Sequence, residues 1–228
     1  MRLYRKPPRR NVLESFVRDT RWRRFARNPF GELTDCEREM LGVIDPVHLP
    51  STPPARRSAT QWLGPCGFGK TSHLRCIGRH LRHRFEWQVQ YIYVTEEQTC
   101  DAIAVSDAWL IDEIDRMPRR LLQRLLSTGT PIWVGTHRDL SHVLRQFGYH
   151  VDTFPVQREQ SADHLAEICN RRIAHVASMD HDDCPRVDSS MATAWLSAYR
   201  GNLRAIENDL YELIQQHAPI GKHVDGKV

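Results

Sequence analysis

The chain has 228 residues, 40% of them hydrophobic and 26% charged, with a formal net charge of +4. That balance suits a soluble globular domain with a small appendage. No apolar run approaches membrane-spanning length, and the basic N-terminus lacks the apolar stretch of a signal peptide. The six cysteines are scattered without a C-x-x-C pair, which suits a reducing cytoplasm better than a disulfide framework or a zinc site.

Residues 1–27 carry ten arginines and lysines against Glu14 and Asp19 alone, so the basic charge is concentrated at this end. Residues 12–25 read as an amphipathic helix, with Leu13, Phe16, Val17 and Phe25 on or near one side. The segment reads either as a basic arm for nucleic-acid phosphates or an acidic partner, or as a solvated, partly disordered tail. Asn28-Pro29-Phe30-Gly31 is a turn, and Thr34 with Glu37 three residues on forms a capping box that opens a helix to about Leu41. A proline-rich connection follows at 46–54. Val43 and Ile44 ahead of it line an adenine pocket or simply pack.

Residues 59–63 are a short β-prone run, and 72–85 read as a helix with Leu74, Ile77, Gly78 and Leu81 on one face. Between them stands G-P-C-G-F-G-K-T at 64–71, the spacing G-x-x-x-x-G-K-[ST] of a phosphate-binding loop. Glycines let the backbone turn its N–H groups onto a phosphate chain, backed by the dipole of the following helix. Gly64, Pro65, Cys66, Gly67, Phe68, Gly69, Lys70, Thr71 and Ser72 are the expected nucleotide-binding set. Lys70 is placed to reach the β- and γ-phosphates of ATP, and the Thr71 hydroxyl to ligate Mg²⁺. Cys66 lies inside this loop, where oxidation would block nucleotide; plain filler is the other reading.

Residues 89–94 read as the second strand and 95–101 as a loop. Ala108-Trp109-Leu110-Ile111-Asp112-Glu113 is a continuous apolar run closing in two carboxylates, the pattern of a buried parallel strand. At its C-terminal end Asp112 would hold the Mg²⁺ shell, and Glu113 would activate water as a general base. A water-activating glutamate points to hydrolysis rather than to a small-molecule phosphotransferase. A DExD-type helicase would need a second module that this length does not hold.

Pro118 opens a helix over 119–127, and 131–136 is the next buried strand, ending in Thr136. A helix over 139–147, capped by Asp139, and a fifth strand over 151–156 follow. This alternation argues for an α/β fold with a doubly wound parallel sheet of the P-loop NTPase kind. Beyond residue 160 the strands stop. Helices over 162–177, 190–199 and 202–217 form a small C-terminal all-helical lid, with a polar tail after 219. The expected division is a basic N-terminal arm and helix at 1–40, a nucleotide-binding domain at 41–158, a helical lid at 159–218 and a tail at 219–228. His73, His80 and His83, and His181 among Asp180, Asp182 and Asp183, read as solvated surface rather than metal ligands.

Together G-P-C-G-F-G-K-T, W-L-I-D-E at 109–113, the strand ending in Thr136 and G-N-L-R-A-I-E-N-D-L at 201–210 resemble the AAA+ ATPase superfamily, over residues 41–216. Their order looks most like the DNA-associated branch of initiators, helicase loaders and transposition regulators. The resemblance implies an ATP hydrolase acting as a conformational or assembly switch, with a low-turnover ATP-dependent recruitment module as the alternative. By the same resemblance Thr136 falls at the sensor 1 position and Arg204 at sensor 2. It also implies side-by-side assembly, for which Arg145, and after it Arg138, is the candidate arginine finger. The implied partners are ATP with Mg²⁺, a homo-oligomer or another protein, possible nucleic acid through the arm, and no membrane.

Overall fold

The computed structural model describes residues 8–95, 105–157, 160–177 and 183–217, in two compact units: residues 35–159, and residues 1–34 with 160–228. The tail after 219, most of the 95–101 loop, the run at 180–182 and the first seven residues lie outside the described part.

The α/β unit starts with helix α2 (Asp35–Leu41), numbered after a short α1 (Glu14–Val17) in the other unit. It continues through β1 (Ser58–Leu63), α3 (Lys70–Phe85), β2 (Val89–Tyr93), β3 (Ala108–Asp112), α4 (Arg119–Ser127), β4 (Ile132–Thr136), α5 (Ser141–Gln146) and β5 (His150–Pro155). The strands form one sheet in the order β2-β3-β4-β1-β5, and every pairing is parallel. Strand alternation divides the core between the two faces. Ala108, Leu110, Trp133 and Trp62 meet Leu74, Ile77 and Leu81 of α3 on one side. Trp109, Ile111, Ile132 and Val134 meet Leu125, Leu126 and Leu144 of α4 and α5 on the other. β3 and β4 are buried on both faces, which is why they read as unbroken apolar runs. A Cβ on Gly78 would lie 2.6 Å from Leu110 Cδ1, so α3 approaches the sheet as closely as it does because this residue has no side chain.

One polar side chain is buried in β1. Gln61 Nε2 donates to Asp139 Oδ1 (2.7 Å), Ser141 Oγ (2.6 Å) and Thr153 Oγ1 (2.7 Å), and its carbonyl accepts from the Leu140 amide. This corrects the expected start of α5. Asp139 accepts from the Ser141 amide and from Gln61, so it closes a turn at the sheet, and the helix begins at Ser141. Ser141 and Gln61 also hold its carboxyl below the usual range. Ile44 packs against the face carrying Trp62, and Val43 is buried; both behave as packing residues.

The second unit contains α1, α6 (Ala162–Val176), α7 (Ser189–Tyr199) and α8 (Leu203–His217). Leu13, Phe16, Val17, Trp22, Phe25 and Phe30 are buried in one core with Leu165, Ile173, Trp195, Tyr199, Ile206 and Leu210. The expected helix over 12–25 is instead broken into a 3₁₀ turn (Pro8–Leu13), α1 and a second 3₁₀ turn (Thr20–Arg24). Its cause is local. The Asp19 carboxylate accepts from the Arg21 amide and starts a new turn, while Trp22 Nε1 takes the Phe16 carbonyl (2.9 Å). The segment is no detached arm either. Arg10 pairs with Asp209 (2.6 Å), Arg18 with Glu14 (2.6 Å) and Arg21 with Asp19 (2.7 Å), so these three cations are already neutralised. The turn at 28–31 is locked by Arg172, which donates to the carbonyls of Pro29 (2.8 Å) and Gly31 (2.7 Å). No helix among the described residues is long and apolar enough to cross a membrane.

Candidate functional site

The site is built where β1, β3 and β4 end. Leu63 of β1 lies in register with Thr136 of β4, and the Gly64 amide donates to the Thr136 carbonyl (3.1 Å). From there the chain turns through Gly67 (φ 86°) and Gly69 (φ 90°), both in the left-handed region that favours glycine. α3 begins at Lys70 with no acidic residue in its first turn, so its amide dipole faces the loop uncompensated. Lys70 is buried, and its Nζ donates to the carbonyls of Gly64 (2.8 Å) and Pro65 (3.1 Å) and to His137 Nε2 (3.2 Å). Cys66 and Ser72 are exposed, and Phe68 packs partly against the sheet-face core.

Asp112, at the end of β3, is fully buried. Its Oδ2 accepts from the Thr71 hydroxyl (2.6 Å) and from the Tyr91 hydroxyl (3.2 Å), while Oδ1 has no partner. Burial, and after it the Asp112 charge, pushes the Tyr91 hydroxyl well above its ordinary pKa, so it stays protonated and donates. The Arg75 guanidinium lies 4.0 Å over the Tyr91 ring. Gly135 provides the room: a Cβ there would lie 2.6 Å from Asp112 Oδ1, with Lys70 Cβ and Leu74 Cδ1 each at 3.4 Å. Gly135→Ala is expected to drive the carboxylate off Thr71 and to weaken any divalent cation held by the pair by about tenfold, read by calorimetric titration with magnesium and ADP. Unchanged affinity would show that the carboxylate tolerates the methyl group.

Glu113 is also buried and takes a left-handed backbone (φ 59°) at the turn out of β3. Its Oε2 lies 3.1 Å from His137 Nδ1 and 3.5 Å from Arg116 Nε, yet it accepts no well-aligned hydrogen bond. The contacts are therefore electrostatic proximity, and the carboxylate retains a free acceptor. His137 Nε2 lies against Lys70 Nζ, and its Nδ1 faces Glu113. Asp115 braces it from behind, accepting from the His137 amide (3.3 Å).

The structure thus brings Lys70, Thr71, Asp112 and Glu113 to one place. It differs at Thr136. That hydroxyl donates to the Arg138 carbonyl (2.7 Å) and accepts from the Arg138 amide (3.1 Å), so its own turn occupies it. The next residue, His137, is the one that reaches the site, and no sequence motif marks it. Tyr91 and Gly135 were equally unmarked. Arg138 and Arg145 are exposed on the α/β unit, and Arg204 is exposed in the first turn of α8 in the helical unit.

Five parallel strands with helices on both faces, a glycine loop after β1 and a helix opening at Lys70 define an α/β protein of the P-loop NTPase fold class. No family model matches the chain, and no curated protein matches it. Among solved structures it is similar to a crystal structure of NtrX from Brucella abortus in complex with ADP, at 18% identity and a TM-score of 0.46. That match covers 95% of this chain and 57% of the other.

Proposed function

We propose that the protein is a magnesium-dependent ATP hydrolase of AAA+ type that works as a conformational or assembly switch. The observation that carries this reading is the pair Asp112–Glu113. One acid is buried against the Thr71 hydroxyl with an oxygen left over; its neighbour keeps a free acceptor beside His137 and Arg116.

Thr71 Oγ1 and the two Asp112 oxygens are a hard, all-oxygen donor set, and the unpaired buried Oδ1 is what such a cation would satisfy. Magnesium held there supplies charge neutralisation on the phosphates. The residues of the chain do the rest. The loop amides and the dipole of α3 hold the phosphate oxygens, and Lys70 exchanges the Gly64 and Pro65 carbonyls for them. Glu113 takes a proton from water as the water oxygen bonds to the γ-phosphorus and the bridging bond to the β-phosphate breaks. Arg204 and Arg145 are the candidates for guanidiniums that sense or complete the site in an assembled form.

Lys70→Ala is expected to lower ATP turnover about 10²–10³-fold, the cost of one preorganised charge-stabilising donor. Phosphate release measured with ATP and magnesium tests it, and a variant as fast as the parent would remove the loop from the reaction. The second reading is a low-turnover recruitment module, favoured by the proximity of Arg116 and His137 to Glu113, which draws the carboxylate away from water. Parent turnover slower than exchange of bound nucleotide would select it.

A further inference from the structure

We infer that Cys66, His137 and Glu113 form a site for a borderline-soft divalent cation of the zinc class at the mouth of the glycine loop. One donor atom from each lies within 4.8 Å of the others, and they are the only such group among the described residues. Cys66 Sγ is 3.3 Å from His137 Nε2, and Glu113 Oε2 lies 3.1 Å from Nδ1 of the same ring. Metal–sulfur bonds of about 2.3 Å and metal–nitrogen or metal–oxygen bonds of about 2.0–2.2 Å give ligand edges of about 3.3–3.6 Å. The sulfur–nitrogen edge is already of that length. Rotation of the exposed Cys66 and half-buried His137 closes the remainder.

A second observation points to a ligand. Glu113 is 6% exposed, and its Oε2 is buried without a hydrogen bond, aimed at this cluster. Thiolate, imidazole and carboxylate together select zinc or cobalt(II) over magnesium, with a fourth position open to water. On binding, the Cys66 thiol releases its proton and the ring coordinates through Nε2. That nitrogen now accepts from Lys70, so metal and ammonium compete for it. The spacing of the cysteines in the sequence hides this site because each ligand comes from a different loop.

The assignment stands independently of ATP turnover. The test is a titration of the nucleotide-free chain with cobalt(II), followed by thiolate-to-cobalt charge-transfer absorption. One equivalent is expected to saturate the signal and zinc to displace it. Cys66→Ser should abolish the band, His137→Ala should weaken binding at least tenfold, and Lys70→Ala should tighten it by about tenfold by removing the competing cation. Independently of any variant, zinc should slow alkylation of Cys66 in the parent, mapped by mass spectrometry. No band, a band that persists in Cys66→Ser, weaker binding in Lys70→Ala, or Cys66 alkylation unaffected by zinc would each overturn the site.

Discussion

If the protein is the ATP hydrolase proposed, Glu113→Gln is expected to bind ATP as the parent does and to hydrolyse it about 10²–10⁴-fold more slowly, the usual contribution of a positioned general base. The amide keeps the shape of the side chain and its approach to His137 but cannot take a proton from water. Asp112 and its bond to Thr71 are left intact, so the cation and the phosphates should be held as before. The loss should therefore appear in kcat with little change in KM, and bound ATP should outlast many parent turnovers. Single-turnover phosphate release combined with equilibrium nucleotide binding reads both quantities. A variant with the parent's kcat would show that another group takes the proton. One that fails to bind ATP would show that Glu113 holds the loop rather than water.

The second large effect is on stability. Trp22→Ala is expected to cost about 3–5 kcal/mol in the helical unit, from lost transfer energy and the cavity left behind. Trp22 is fully buried, with Phe16 and Phe25 rings centred at 5.1 and 5.2 Å, and its indole N–H is bonded to the Phe16 carbonyl. Phe16 in turn packs edge-on against Trp195 of α7 at 5.2 Å. Amide hydrogen exchange in α7 and α8 reports the loss, because these helices share that core. Protection unchanged there would mean that the opening segment contributes nothing to holding the helices together.

How much of this was legible in the sequence follows from how local each cause is. β3 and β4 were readable because burial on both faces leaves no polar residue until the strand ends, and α8 because Leu203, Ile206, Leu210, Leu213 and Ile214 keep helical spacing. The five-strand parallel architecture followed from that alternation. The N-terminal segment misled because a count of its cations says nothing of partners such as Asp209, 199 positions from Arg10. Its periodicity hid the tight turn at Thr20–Arg24, which depends on side-chain bonds from Asp19 and Trp22. At the site, the loop and the acidic pair were visible as motifs, whereas His137 was not. Its importance comes from Lys70, Cys66 and Glu113 converging on one ring, and its one signal was an ionisable residue directly after a buried strand.

The split composition of the helical unit has a consequence for biosynthesis. A ribosome releases residues 8–34 well before residues 160–217, which carry the surfaces that cover Leu13, Phe16 and Trp22. The uninterrupted stretch between them carries its own complete sheet and is ready to fold earlier. The nascent polypeptide must therefore carry this uncovered greasy segment throughout translation of the sheet, and slow elongation there would lengthen the interval in which it is vulnerable to aggregation or proteolysis.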